Sequence, residues 1–402
     1  MTSSPRPGAV VGLVYASTTV VWASYSLLAV VLPFRFHDLG FTVIQYGVAV
    51  GVFALGMLAT ESLWGLLAFR IGRSGLILAL GAATAFLYLA VGVFTDYLAL
   101  VLTLCLLGAL IVFPVPLFRW MSMMARGPGT EGSGTGRYTL FFMTGMVVGS
   151  TLGPFVYVSE GFGVLVACVL ATYAAGVVLM ALLPWSLTRL PPVVRGSLSL
   201  VRRVMNAPFL FVSGLVVLDY LAYTLVVNFL QIYSVASFHG TPTDAGYVIG
   251  ASRATLLVAG WWLGSAVDRY GALRNVPFGF VLLAVGAFGT LVSTTYGGMV
   301  GATLVFSVGA GWLSASLLPL ALGPVPAPLQ GTAIGVFGSF EDLGLLAGPV
   351  LISAVYTSFG ASAIFLFVAT VALAGGALSL SYPVVVDRSQ PQATDSVGGV
   401  AK

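Results

Sequence analysis

The chain has 402 residues, of which 59% are hydrophobic and 7% charged, with a formal net charge of +4. A soluble domain carries about 25% charged residues, so a water-soluble globule is excluded, and the apolar content excludes a disordered chain. With a mean hydropathy of +1.05, the main solvent has to be the lipid bilayer.

A spanning helix needs about 20 mainly apolar residues. Runs of that kind fall at 10–32, 43–69, 74–94, 97–120, 138–159, 162–184, 208–236, 244–267, 275–294, 298–321, 331–357 and 361–385. They are long and continuous, without the ten-residue alternation of barrel strands, so twelve transmembrane helices are expected. The first run is too long for a signal-peptide core and lacks a basic leader, so it reads as a retained helix. The pI of about 9.1 does not point to nucleic acid. The one lysine is Lys402, and the arginines are scattered in short turns between runs. With the N-terminus in the cytoplasm, every arginine in a loop except Arg35 lies inside, which sets both termini as cytoplasmic in a plasma-membrane protein. Cys105 and Cys168 sit in apolar runs and suggest neither a disulfide framework nor a metal site.

The chain also repeats itself. Gly65-Leu-Leu-Ala-Phe-Arg-Ile-Gly-Arg-Ser74, between runs two and three, returns as Gly264-Ser-Ala-Val-Asp-Arg-Tyr-Gly271. Gly65 falls on Gly264, Arg70 on Arg269, Gly72 on Gly271, Gly47 on Gly246 and Gly51 on Gly250. Tyr25 in run one matches Tyr223 in run seven. Gly145-x-x-x-Gly149-x-x-x-Gly153-Pro154 in run five matches Gly344-x-x-x-Gly348-Pro349 in run eleven. Small residues every four positions let helix backbones approach closely, and the proline bends the helix. A repeat at half the chain length indicates a doubled unit. The expected organisation is a six-helix half (1–184), a linker (185–207) rich in proline and arginine, a second six-helix half (208–385) and a polar, disordered cytoplasmic tail (386–402).

The turn at 65–74 resembles the signature Gly-x-Leu-Ala-Asp-Arg-x-Gly-Arg-Lys of major facilitator superfamily transporters, with Arg70, Gly72 and Arg73 in register. Phe69 stands in place of the acid and Ser74 in place of the last basic residue, whereas the second copy keeps the acid as Asp268. The resemblance runs from about Val10 to Tyr382. It implies an all-α fold in two pseudo-repeat halves around a midplane site, and gating turns built on Gly65, Arg70, Gly72, Arg73, Gly264, Asp268, Arg269 and Gly271. The glycine–proline motif of run five is similar to one in drug–proton antiporters, with Gly149, Gly153, Pro154, Gly344, Gly348 and Pro349 as helix-packing positions. The antiporter arginine of the fourth helix has no match, since Leu104 stands before Gly108. Without the acid at 69, the resemblance implies a weakened latch at the cytoplasmic side.

Polar residues recur at helical spacing in run one (Tyr15, Thr18, Thr19, Trp22, Ser26) and run seven (Tyr220, Tyr223, Thr224, Asn228, Gln231). A polar face in lipid turns toward protein or water, so each stripe reads as either helix packing or a pathway lining. An ionisable residue inside a run costs about 2.5–3.5 kcal/mol on insertion scales and calls for a partner or a role. These residues are Glu61, Arg119, Asp219, Arg253, Glu341 and Asp342. Asp219 and Arg253 lie at similar depth and either pair with each other or leave Arg253 for an anionic substrate. Glu61 is matched with Arg119 as an ion pair. Asp342 rather than Glu341 shares a face with Gly335, Gly338 and Ser339 and is expected to face the pathway. Asp219, Asp342 and Glu61 are the candidate proton carriers. No metal-ligand histidine pair, nucleophile elbow or P-loop is present, so neither an enzyme nor a resident cofactor is expected. The expected partners are a small-molecule substrate, a proton or other coupling ion and the lipid bilayer, with no nucleic acid and a monomeric protein. The expected function is proton-coupled efflux. Uptake of a small organic anion at Arg253, or a non-transporting sensor or scaffold with the same fold, are the alternatives.

Overall fold

A computed structural model describes residues 7–68, 74–116, 118, 131–183, 198–326 and 329–389. Among these residues every regular element is helical. The first half comprises α1 (Pro7–Ala29), α2 (Leu32–Asp38), α3 (Val43–Ala68), α4 (Ser74–Val93), α5 (Tyr97–Ile111), α6 (Glu131–Glu160) and α7 (Phe162–Ala181). The second comprises α8 (Leu198–Val204), α9 (Ala207–Thr224), a π-helical turn (Leu225–Phe229), α10 (Leu230–Phe238), α11 (Pro242–Tyr270), α12 (Ala272–Val292), α13 (Tyr296–Leu322), α14 (Gln330–Phe359), α15 (Ala361–Ser379) and α16 (Tyr382–Ser389).

Among the described residues, ten helices or helix pairs are long and apolar enough to cross a membrane. The other two expected runs are the 15-residue α5 and the 29-residue α11, which carries Asp244, Arg253, Asp268 and Arg269. The first run breaks at Val30–Val31, just before Pro33, whose ring cannot continue the hydrogen-bond ladder. The fourth run stops being α-helical at Ile111, before Pro114. Leu98, Leu102 and Leu106 of α5 follow one another at i+4 and are each more than half exposed. That is the lipid-facing side of a helix whose opposite face, with Leu100, Leu104, Leu107 and Ile111, is buried.

Within the first half, α1 packs on α6 and α7, α3 on α5, and α4 on α7. Within the second, α9 packs on α14 and α15, α11 on α13, and α12 on α13 and α15. Among the described residues the two most extensive contacts between the halves are α3 with α14 and α6 with α11. Both run through the glycines of the sequence repeat. A Cβ added at Gly47 would lie 2.5 Å from the Pro349 carbonyl, and one at Gly51 would lie 2.8 Å from Val350. At Gly246 it would lie 2.7 Å from Pro154 and 2.9 Å from the Ser150 carbonyl, and at Gly250 it would strike the Thr151 hydroxyl. The glycines of α6 and α14 serve contacts inside each half. A Cβ at Gly145, Gly149 or Gly153 would run into the backbone carbonyls of Thr19, Ala23 or Leu27 on α1. At Gly344 it would lie 2.6 Å from Tyr220, and at Gly348 2.8 Å from Thr224, both on α9.

The repeat extends to the backbone at the ends of helices. Thr42 and Gln45 cap α3 reciprocally, with Thr42 N donating to Gln45 Oε1 at 2.8 Å. Thr241 and Asp244 do the same for α11, again at 2.8 Å. Gly161 and Gly360 precede α7 and α15 with φ of 85° and 86°. Gly40, with φ of 79°, has His239 as its counterpart, which adopts φ of 54°. This left-handed backbone favours glycine, and His239 is the non-glycine residue that adopts it among the described residues.

Short helices lie within the segments read as linker and tail. Residues 198–204 of the segment expected as linker are helical, and α9 begins at Ala207, because Asn206 caps it by accepting from Phe209 N at 2.9 Å. The tail expected to be disordered from 386 is helical to Ser389, because α16 packs back on α9 through Tyr382 and Phe211, whose rings lie 6.0 Å apart. Residues 390–402 lie outside the described residues, as do Phe69, Arg70, Gly72, Arg73 and Arg119.

Because α1 leaves no room for side chains on α6, Gly149→Ala and Gly153→Ala should each destabilise the protein by about 1–3 kcal/mol. Gly163→Ala, whose added carbon meets nothing within 4 Å, should stay within about 0.5 kcal/mol of the parent. Thermal unfolding of the purified variants reads the difference, and equal losses at all three positions would refute the close approach.

Candidate functional site

Arg253 lies near the middle of α11, three residues after Gly250 and seven after Gly246. That spacing puts it on the glycine face, which packs against α6. It is 1% exposed. Its Nη1 donates to the Ser26 hydroxyl of α1 and, at 3.2 Å, to the Met146 carbonyl of α6. Ser26 Oγ itself donates to the same carbonyl at 2.8 Å. A cation of the second half is thus fastened to the first. Among the described residues Nε and Nη2 have no acceptor in hydrogen-bond geometry, and the Tyr223 hydroxyl lies close enough to interact with the guanidinium. Tyr25 and Tyr223, the pair matched by the sequence repeat, both stand within electrostatic range of the guanidinium.

Asp219 is 4% exposed and does not pair with Arg253. Its charged neighbour is Glu341 of α14, and its Oδ1 accepts no hydrogen bond. This closes the expected alternative of an Asp219–Arg253 pair, because Arg253 turns to α6 and Asp219 turns to α14. Tyr223 follows Asp219 by one turn and borders both groups. Asp342 is 4% exposed and shares its side of α14 with Gly338 and Leu346. Gly338 approaches Glu61 of α3, and Leu346, beside Val350, approaches Gly51. The Glu61 carboxylate lies 3.5 Å from where a Cβ of Gly338 would sit, so it reaches across to the second half.

The polar stripe of the first run is divided. Thr19 donates to the Phe141 carbonyl at 3.0 Å and Ser26 to Met146, so these residues bind α6, while Thr18 donates to its own helix at Val14. Tyr15 stacks on Phe141 with ring centroids 4.5 Å apart. Trp22 meets Phe142 at 4.5 Å and Tyr25 at 5.5 Å. In the seventh run Gln231 is fully buried, with its Nε2 donating to the Val227 carbonyl of its own helix.

Two features were not visible in sequence. One is the π turn at Leu225–Phe229, of a kind frequent at functional sites. The other is the hydrogen bond from Tyr46 of α3 to Asn228 in that turn, at 3.4 Å. Tyr46 also meets Phe229 edge-on at 6.1 Å. Together with the approach of α2 to α10, this draws the halves together at the end that holds Gly40 and His239. Beneath the contact lies a small, partly open cavity lined by Tyr25, Leu28, Phe53, Leu104, Leu107 and Asn228, among others. Of the proposed gating turns, Gly65 belongs to α3, Gly264, Asp268 and Arg269 belong to α11, and Gly271 precedes α12 with φ of 83°.

Two helical bundles of matching topology, joined through α3–α14 and α6–α11 around a buried charge, make an all-α polytopic membrane protein. Residues 212–399 match the profile of the Major Facilitator Superfamily. The crystal structure of the nucleoside transporter NupG superposes with a TM-score of 0.73 at 13% identity, covering 94% of this chain and 99% of that one. The second half of the chain thus matches the Major Facilitator Superfamily profile, and the chain as a whole shares the fold of that transporter. The riboflavin transporter RibZ of Clostridioides difficile (strain 630) is 25% identical over 141 residues, 35% of this chain and 31% of RibZ. The efflux pump FUS6 of Gibberella moniliformis (strain M3125 / FGSC 7600) is 29% identical over 137 residues, 33% of this chain and 24% of FUS6. The chain therefore spans about a third or less of the length of these curated relatives.

If Tyr46 and Asn228 hold the Gly40 end together, removing their bond should loosen it. In a variant free of Cys105 and Cys168, spin labels at His37→Cys and Ser237→Cys report the width of that end. Tyr46→Phe should raise the share of wide distances about 2- to 10-fold, the range of one net hydrogen bond, and Asn228→Ala should add little further. Unchanged distributions in both variants would show that the contact does not hold the halves.

Proposed function

We propose that the protein is a secondary active transporter that carries a small molecule by alternating access and exports it in exchange for protons. The observation that carries this reading is a buried charge of one bundle fastened to the other. Such a link has two discrete states, made and broken, and a cargo that prefers one of them shifts the balance between the two arrangements of the halves. Asp219 and Glu341 supply the proton site, since neighbouring carboxyls in a low-dielectric interior are a natural place to hold one proton between them. Tyr223 lies within electrostatic range of both Asp219 and Arg253, so a change of charge at one is felt at the other. Asp342 and Glu61, both on the α3–α14 contact, are the other candidate carriers.

Export is supported by the glycine–proline motif of α6 and by the efflux function that the name of FUS6 records. A second reading, uptake of a small organic anion, has in its favour that among the described residues no acid forms an ion pair with Arg253. In either case the Gly271 end, near Arg202, Arg203, Arg269 and Arg274, faces the cytoplasm, and the protein acts as a monomer in the plasma membrane. In intact cells an impermeant thiol reagent should reach His239→Cys and not Ser197→Cys, and the reverse pattern would invert the orientation.

Proteoliposomes carrying an imposed pH gradient test the function. A panel of apolar and anionic compounds should include one whose movement follows the gradient and stops on addition of a protonophore. Asp219→Asn should abolish the proton dependence while leaving binding of that compound within about threefold. Movement indifferent to the protonophore would refute proton coupling, and no movement of any compound would refute the transporter reading.

A further inference from the structure

We infer that Arg253, Tyr25 and Tyr223 form a site for a carboxylate carried on a flat apolar body, an inference that rests on the transporter reading for the role of that ligand as cargo. The guanidinium is permanently charged and almost wholly buried. Burying a cation without an anion is strongly unfavourable, and among the described residues no carboxylate forms an ion pair with it. The donors left over are not arbitrary. Nη1 is engaged by Ser26 and the Met146 carbonyl, whereas Nε and Nη2 have no acceptor in hydrogen-bond geometry among the described residues, the Tyr223 hydroxyl being the polar group nearby. Those two nitrogens make up one edge of the planar group, the edge whose parallel N–H bonds fit the two oxygens of a carboxylate.

The surroundings suit the rest of such a ligand. Tyr25 and Tyr223 bring one hydroxyl from each half to the guanidinium. The Tyr25 ring stacks with Phe53 at 5.6 Å and 15°, and Trp22 stands edge-on to it at 5.5 Å. The cavity that begins at Tyr25 is walled by Leu28, Phe53, Leu104 and Leu107. Its polar atoms at Tyr46 and Asn228 are bonded to each other. A neutral polar molecule finds few free partners there, and a cation is repelled by Arg253. A carboxylate on Nε and Nη2 leaves the bond of Nη1 to Ser26 intact, so the bound anion would be held to both halves through one side chain.

The test uses the purified full chain in nanodiscs and three probes with the same body: 2-naphthoate, 2-naphthamide and 2-naphthylmethylammonium. Naphthoate should raise the melting temperature saturably and change the fluorescence of Trp22, and the other two should do neither at equal concentration. Arg253→Gln should lower naphthoate affinity by about thirtyfold or more. Arg253→Lys, which keeps the charge and loses the planar edge, should lower it by about tenfold. Tyr25→Phe combined with Tyr223→Phe should lower it by about threefold or more and serves where Arg253→Gln does not fold. Equal responses to naphthoate and naphthamide, no response to naphthoate, or an undiminished naphthoate response in Arg253→Gln would each overturn the site. Naphthoate binding without flux in proteoliposomes would leave the site and remove the transporter. Proton-driven flux of a neutral compound without naphthoate binding would do the reverse.

Discussion

The closeness of α11 to α6 is the constraint on which the centre of this molecule depends. Helices in lipid gain nothing from burying apolar surface against each other rather than against acyl chains, so association relies on close backbone packing. Gly246 and Gly250 provide it, and Arg253 follows on the same face, near enough to cross to Ser26 and Met146. The bond to the Met146 carbonyl, at 3.2 Å, is already at the long end of the normal range. A side chain at either glycine would push α11 outward and break it. The packing of two helices and the placing of a charge are therefore one structural fact.

The two halves share their geometry and differ in their chemistry. The register that aligns Gly47 with Gly246 and Gly51 with Gly250 also aligns the two helix caps and the positive-φ residues at 40 and 239, 161 and 360. In that register Arg253 corresponds to Ala54, which is 3% exposed on α3. The register that aligns Gly149 with Gly344 sets Glu341 against Met146, whose carbonyl accepts from Arg253. Doubling thus produced two similar contacts between halves, α3–α14 and α6–α11, of which the second carries an arginine. Ionisable groups have gathered on the second half at Asp219, Arg253, Glu341 and Asp342. In the proposed transporter this asymmetry separates a proton site in one bundle from a link that spans both.

Much of this was legible in the sequence, because the bilayer imposes long apolar runs and a doubled chain repeats its glycines. Gly246, Gly250 and Arg253 stand at helical spacing, so the face of Arg253 was readable; its partner was not. Periodicity tells which residues share a face and is silent on which helix that face meets. For that reason Thr19 and Ser26, read as either packing or pathway residues, turned out to bind α6, and Asp219 and Arg253, at equal depth, turned away from each other. The Tyr46–Asn228 bond joins residues 182 positions apart, and no local pattern marks it. The π turn leaves no trace in composition; it shows only as a run of 32 residues from Ala207 to Phe238, longer than a membrane needs. The short helices at 198–204 and 382–389 were missed because seven or eight residues are too few to show a period.

The most direct test of the central claim is a side-chain-resolved cryo-EM map of the protein in lipid nanodiscs without added ligand. The account predicts the Arg253 guanidinium on Ser26 and the Met146 carbonyl, with its Nε–Nη2 edge toward Tyr25 and Tyr223 and no carboxylate within 4 Å. Density joining Arg253 to Asp219, Glu341 or Asp342 as an ion pair would contradict it.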